Sequence, residues 1–241
     1  MTAFVRAFPG ALSAVRLFGS QARGDADDLS DADVLIVKRS EDDVVSSDSV
    51  HSALRGRVGM SPSVGLYSER RVIKMYEEGD LFAWHLHKES RKLGYLDADF
   101  LDSLCPCDYR NAVRDIELFL DIIRGVDGSL MLAPGNSAYE AGLLFMASRN
   151  IAMSASWYLP HGLLFGRRSP FQLRESVGIP FPISEQEHNE NMRARVLGHR
   201  GAPVAEQAAS RVADMAKRLL AWGTAVLHFA KEADGAHNSR P

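Results

Sequence analysis

Cysteine is nearly missing from these 241 residues: there are two, Cys105 and Cys107, on either side of Pro106. A Cys-x-Cys pair with no partner cysteines elsewhere makes a poor zinc site. It reads as a thiol-bearing turn in a reducing compartment, and a disulfide framework is excluded. Long hydrophobic runs are also missing. No apolar stretch approaches the roughly 18 residues that a membrane-spanning helix needs. Met1 to Ala14 carries one Arg and one Pro and lacks the organisation of a signal peptide. The expected location is therefore the cytoplasm, with no membrane partner. Charge of one sign is scarce too. The net charge of −3 leaves no global basic excess to hold a nucleic-acid backbone, although a local basic patch stays open. The hydrophobic content of 46% suits one larger or two modest globular domains.

The apolar pattern divides the chain. Ala14–Phe18 reads as a first strand, after a short helical lead-in bent at Pro9-Gly10. Asp33–Lys38 reads as a second, its Val34, Leu35, Ile36 and Val37 nearly continuous, as in a strand buried on both faces. Ser63–Tyr67 reads as a third. Ser68 is positioned to cap a helix that starts at Glu69 and ends or kinks at Gly79, and Leu81–Leu93 reads as helix again. Beyond Cys107 the pattern is helical alone. Ile116, Phe119, Leu120 and Ile123 make one stripe, and residues 125–137 read as a loop holding three glycines. Ala138–Leu159 reads as a central buried helix, and 160–182 as an irregular loop with a short helical turn. Val212, Met215, Leu219, Trp222, Val226 and Phe229 form a packing seam on the last helix. The fold class is α+β: a small mixed sheet with helices over residues 1–104, an all-α bundle over 108–232, and a tail over 233–241. The apolar last helix makes a homodimer through the helical domain plausible.

One stretch carries chemistry. Leu17-Phe18 leads into Gly19-Ser20, Arg23-Gly24 follows, and Ser30-Asp31-Ala32-Asp33 enters the next apolar run. Alternate residues of a strand point the same way, so Asp31 and Asp33 project from one face. Paired carboxylates suit Mg²⁺, which takes oxygen ligands and shares its shell with substrate phosphates. Gly19 lets a phosphate approach the backbone, and Ser20 offers a hydroxyl and an N–H. A pattern of Gly-Ser, a gap of about ten residues and Asp-x-Asp resembles the core motif of the polymerase-β-like nucleotidyltransferases, in their minimal branch. The resemblance implies Asp31 and Asp33 as catalytic, metal-binding residues and Gly19 and Ser20 as nucleotide-binding residues. Mg²⁺ is then the cofactor and a nucleoside triphosphate, ATP first, the substrate.

In that family a third carboxylate follows on a later strand. Here Gly65, in Val64-Gly65-Leu66-Tyr67, holds the corresponding place. Glu69 is either a substitute metal ligand or simply an acid in the first turn of a helix, where the macrodipole favours it. Arg23 either binds phosphate oxygens with its planar fork or pairs with Asp25 or Asp27. Ser30 hydrogen-bonds the loop backbone. His85 and Glu89, four apart, share a helix face and serve either as proton carriers or metal ligands or as a structural pair.

In the helical half, Arg149-Asn150 resembles the signature of HEPN domains, bundles that often accompany minimal nucleotidyltransferases. Ser154 stands where that family's nuclease members carry His, so the resemblance implies the fold without RNA cleavage. Arg167 and Arg168 either line a substrate cleft or are solvated loop charges. Two functions follow. One is nucleotidyl transfer to a hydroxyl of a protein, an RNA end or a small molecule. The other is a degenerate nucleotide- or partner-binding regulator of toxin–antitoxin or defence type.

Overall fold

Leu12–Arg16 and Val34–Val37 are each buried without a break, as in a sheet covered on both faces. A computed structural model describes residues 10–54, 62–93 and 99–238, so residues 1–9 of the lead-in expected over 1–14 lie outside the described residues. The chain divides into two compact units, Met1–Tyr109 and Arg110–Pro241.

In the first unit β1 (Leu12–Phe18) leads directly into a one-turn helix, α1 (Gly19–Arg23). There follow β2 (Ala32–Lys38), α2 (Ser47–Leu54), β3 (Pro62–Ser68), α3 (Glu69–Glu77), α4 (Leu81–Glu89) and a two-residue β4 (Arg91–Lys92). The strands lie in the order β3-β2-β1-β4. β1 is antiparallel to β2 and β4, and β2 is parallel to β3, so the sheet is mixed. Val15, Val34 and Ile36 turn to one face, where Val50 and Leu54 of α2 cover them. Ala14, Leu35 and Val37 turn to the other, beneath Val72, Met75 and Tyr76 of α3 and Ala83 and Leu86 of α4. The expected helix over 81–93 is shorter than its pattern suggests. It stops at Glu89, because Arg91 and Lys92 pair with Leu17 and Arg16 at the sheet edge. Leu12 and Ser13, expected in the lead-in helix, are strand.

The second unit contains α5 (Ala112–Leu132), α6 (Ser137–Ala155), α7 (Ser169–Val177), α8 (Glu185–His199) and α9 (Ala209–Asn238). α6 is buried along most of its length and packs against α5, α8 and α9. The expected loop over 125–137 is largely helix. α5 runs through Gly125 and Gly128 to Leu132, because burying Val126 and Leu130 outweighs about 1 kcal/mol of lost helix propensity per glycine. The seam of α9 is core: Val212, Met215, Leu219, Trp222 and Val226 are buried within the unit. The expected tail is helical through Asn238. Among the described residues no helix is long and apolar enough to cross a membrane.

His188 of α8 is a buried ionisable group of this unit. It is buried among the rings of Phe145, Phe171 and Phe181, and its Nε2 donates to the Arg167 carbonyl at 2.9 Å. Burial away from water pushes its pKa below the ordinary 6.5, against the pull of that carbonyl. The unfolded chain therefore takes up this proton before the folded one does. Its contribution to stability is complete above pH 6.5 and declines as the pH falls below that value. The expected thermal unfolding midpoint drops between pH 7.5 and 5.5 more steeply for the natural chain than for a His188→Gln variant. Parallel profiles for the two would refute the assignment.

Candidate active site

Sequence spacing brings Gly19 and Asp33 into contact through the β1–β2 register. Phe18, the last residue of β1, is paired with Asp33, so the turn that begins at Gly19 crosses directly over the entrance of β2. Gly19 is buried and has φ of +71°. A Cβ placed there would stand 2.5 Å from Asp33 Oδ2. The absent side chain is thus the space that the Asp33 carboxylate occupies. Phe18 precedes α1 in an extended conformation and gives that turn no side-chain cap, while Gly24 closes it in the left-handed region. The N–H groups of the turn are the kind of donors that anions accept from. Asp31 sits one residue outside β2, two before Asp33. It follows a latch in which Ser30 Oγ donates to Asp27 Oδ1 and accepts from the Asp27 N–H, each at 2.9 Å.

Gly19→Ala is expected to do two things. It forces a left-handed backbone onto an L-residue, about 1–2 kcal/mol, and it pushes the Asp33 carboxylate out of place. Gly24→Ala, with φ of +84° and nothing within 4 Å of its new methyl, bears the first cost alone. Both variants should unfold at lower temperature, but only Gly19→Ala should lose at least ten-fold in Mg·ATP affinity by titration calorimetry. Equal affinity in the two would show that Asp33 is not displaced.

Arg23 lies at the end of α1 in two ion pairs, Nε to Asp25 Oδ2 at 3.1 Å and Nη1 to Glu89 Oε2 at 2.7 Å. His85 Nε2 donates to the same Glu89 oxygen at 2.9 Å. Burial opposes the charge on Glu89, but the hydrogen bonds and charges of His85 and Arg23 outweigh it and hold its carboxyl below the ordinary range. Edge-on ring contacts of His85 and Phe82 with Phe18 seat α4 over the end of β1. Arg23 and the His85–Glu89 pair therefore brace the Gly-Ser turn from behind. The Arg23–Glu89 bond spans 66 positions and leaves no local signal.

Glu69 does not join the site. In the parallel β2–β3 register Ser68 lies beside Lys38, so Glu69 follows the end of β3 remote from the aspartates. At about 3.3 Å of rise per residue, five residues separate the two ends by about 16 Å. No shared metal with ligand distances near 2.1 Å spans that gap. Glu69 instead lines a shallow surface groove with Arg39, Arg70 and Lys74. The register also moves the place expected for a third acid. Gly65 lies beside Leu35, and the residue beside Asp33 is Ser63. Among the described residues no group of three or more His, Cys, Asp or Glu side chains is placed to hold a metal.

In the second unit Arg149 Nη2 donates to the Phe165 carbonyl and Asn150 Nδ2 to the Met146 carbonyl, both at 2.9 Å. Arg168 pairs with Glu185 on the surface.

No curated protein matches the chain. Residues 2–115 match the family model of the nucleotidyltransferase domain, and the first half of the chain carries such a domain.

Proposed function

We propose that this chain transfers a nucleoside monophosphate from a nucleoside triphosphate, ATP first, to an acceptor hydroxyl. The acceptor oxygen bonds to the α-phosphorus, the α–β phosphoanhydride breaks, pyrophosphate leaves and the hydroxyl proton passes to solvent. The observation that carries this reading is the packing of the Asp33 carboxylate into the space left by the side chain Gly19 lacks. That packing puts an anionic oxygen donor and a phosphate-accessible turn side by side. Asp31 and Asp33 are oxygen donors of the type Mg²⁺ takes. Bound Mg²⁺ supplies neutralisation of the triphosphate charge. Ser20 and the turn N–H groups bind phosphate oxygens, and Arg23, through Glu89, holds the turn in place.

A second reading, a nucleotide- or partner-binding regulator without chemistry, is favoured by two observations. No carboxylate stands beside Asp33 on β3, and Arg149 and Asn150 spend hydrogen bonds on backbone carbonyls. In that reading the helical unit is a HEPN-like bundle of toxin–antitoxin or defence type.

Incubating the full chain with α-labelled ATP and Mg²⁺, over protein, RNA and small-molecule acceptors, separates the two. Transfer that disappears in Asp31→Ala/Asp33→Ala is the expected result. Mg·ATP binding that the double variant loses, with no labelled acceptor, establishes the regulator. Absence of both binding and transfer removes the nucleotide from the account.

A further inference from the structure

We propose that the first unit holds a single divalent cation, the one carried by the nucleotide, and that Ser63 marks where the carboxylate for a second cation is missing. This rests on the nucleotidyl-transfer reading.

Four observations converge. First, β2 and β3 are parallel and in register, with Asp33 beside Ser63, Leu35 beside Gly65 and Val37 beside Tyr67. Neighbouring strands lie about 4.8 Å apart, and paired residues share a face. Ser63 is therefore the β3 position from which a side chain reaches the ground in front of Asp33, and it is exposed. Its hydroxyl is a neutral donor and acceptor, and supplies no charge to a cation.

Second, Gly65 is no alternative. It lies one pleat deeper, beside buried Leu35. A Cβ there would meet the Tyr67 ring at 3.1 Å, so that ring covers the space a side chain at 65 would need. Third, the acid that follows this strand at the start of α3, Glu69, is at the wrong end of the sheet, as the register requires. Fourth, the acid at the end of α4, Glu89, is already bonded to both Arg23 and His85. Of the residues outside the described segments, Asp97 alone has a carboxyl side chain.

Two carboxylates give one Mg²⁺ a sufficient anchor, because Mg²⁺ typically binds one or two carboxylates plus substrate phosphates. They leave nothing for a second ion at the acceptor oxygen. This chain then binds Mg·NTP competently and transfers slowly. Speed depends on an acceptor whose hydroxyl is already acidic, or on a carboxylate brought with the acceptor.

The test counts ions directly. The full chain is titrated with Mn²⁺ in the presence of α,β-methylene-ATP, which cannot be turned over, and bound Mn²⁺ is measured by electron paramagnetic resonance. One Mn²⁺ per chain is expected for the natural protein and for Asp97→Asn, and two for Ser63→Asp. Two in the natural protein overturns the inference. One in a folded Ser63→Asp overturns the assignment of Ser63. Should Ser63→Asp fail to fold, Ser63→Glu supplies the same carboxylate from a longer stem, and the natural protein's count decides by itself. None in the natural protein refutes the nucleotide reading, an outcome distinct from the failure of this inference. Ser63→Asp should also raise the transfer rate at least ten-fold, with the ATP affinity changed far less than the rate.

Discussion

Asp33→Asn is expected to lower nucleotidyl transfer by about three orders of magnitude. The substitution keeps the size of the side chain, and so keeps the fit against Gly19, but removes the negative charge. A metal held at a phosphoryl oxygen stabilises transition-state charge by several kcal/mol. At 1.36 kcal/mol per factor of ten, losing its anchor costs about 10³. Asp31→Asn acts in the same direction. The double variant falls little further than either single one, because groups that work as a unit do not add. Folding separates this from general damage. Asp33 is half-buried at the entrance of β2, and taking a charge away there leaves the unfolding midpoint unchanged or raises it. The measurement is the initial rate of label transfer from α-labelled ATP, with circular dichroism melting as the control. A rate within ten-fold of the natural chain, in a folded Asp33→Asn, would remove this residue from the site.

What could be read from the chain beforehand follows the range of each signal. The β1–turn–β2 hairpin was legible, because Phe18-Gly19-Ser20 and Asp31-x-Asp33 are local and the Val34–Val37 run admits few alternatives to a buried strand. The β3 register was not. β2 and β3 are parallel neighbours, so a crossover that includes α2, and not a short hairpin turn, joins them, and no turn type fixes their alignment. The local pattern Val64-Gly65-Leu66 points to Gly65 for the missing acid, one pleat deeper than Ser63, which the pairing puts beside Asp33. α8 escaped for a different reason. Its buried positions include His188 and Asn191, so no apolar stripe marks the helix. A signal was present nonetheless: Ser184 and Glu187 form a capping box, each side chain bonded to the other's backbone N–H. Gly125 and Gly128 point to a loop on propensity alone, and the burial of Val126 and Leu130 that overrides it exists only in the packed bundle.

Arg16 holds a buried ion pair at the edge of the first unit's sheet. It projects from β1 on the α3/α4 face of the sheet. Its Nε bonds Asp99 Oδ2 at 2.7 Å and its Nη2 bonds Asp102 Oδ1 at 2.6 Å. Burial works against the guanidinium charge, and the two aspartates outweigh it, so its pKa is raised. The pair with Asp99 is hidden from water, with side-chain exposures of 10% and 3%. Lys92 meets Asp102 from the neighbouring strand, so the cluster also fastens β4 to the edge of β1. Arg16→Met leaves the Asp99 carboxylate buried with its cation gone, and breaking a buried pair from one side costs about 3–5 kcal/mol. At about 4–8 °C per kcal/mol for a domain of this size, the midpoint of the first unit falls by more than about 12 °C. Adding Asp99→Asn removes the orphaned charge while keeping an oxygen for the Leu101 N–H, which Asp99 Oδ1 accepts at 3.0 Å. The double variant is therefore expected to recover more than half of the loss, whereas two independent lesions would sum. Urea unfolding of the four chains of this cycle measures the coupling directly. If Arg16→Met stays within 1 kcal/mol of the natural chain, or Asp99→Asn deepens its defect, the buried pair is not what holds this edge of the sheet.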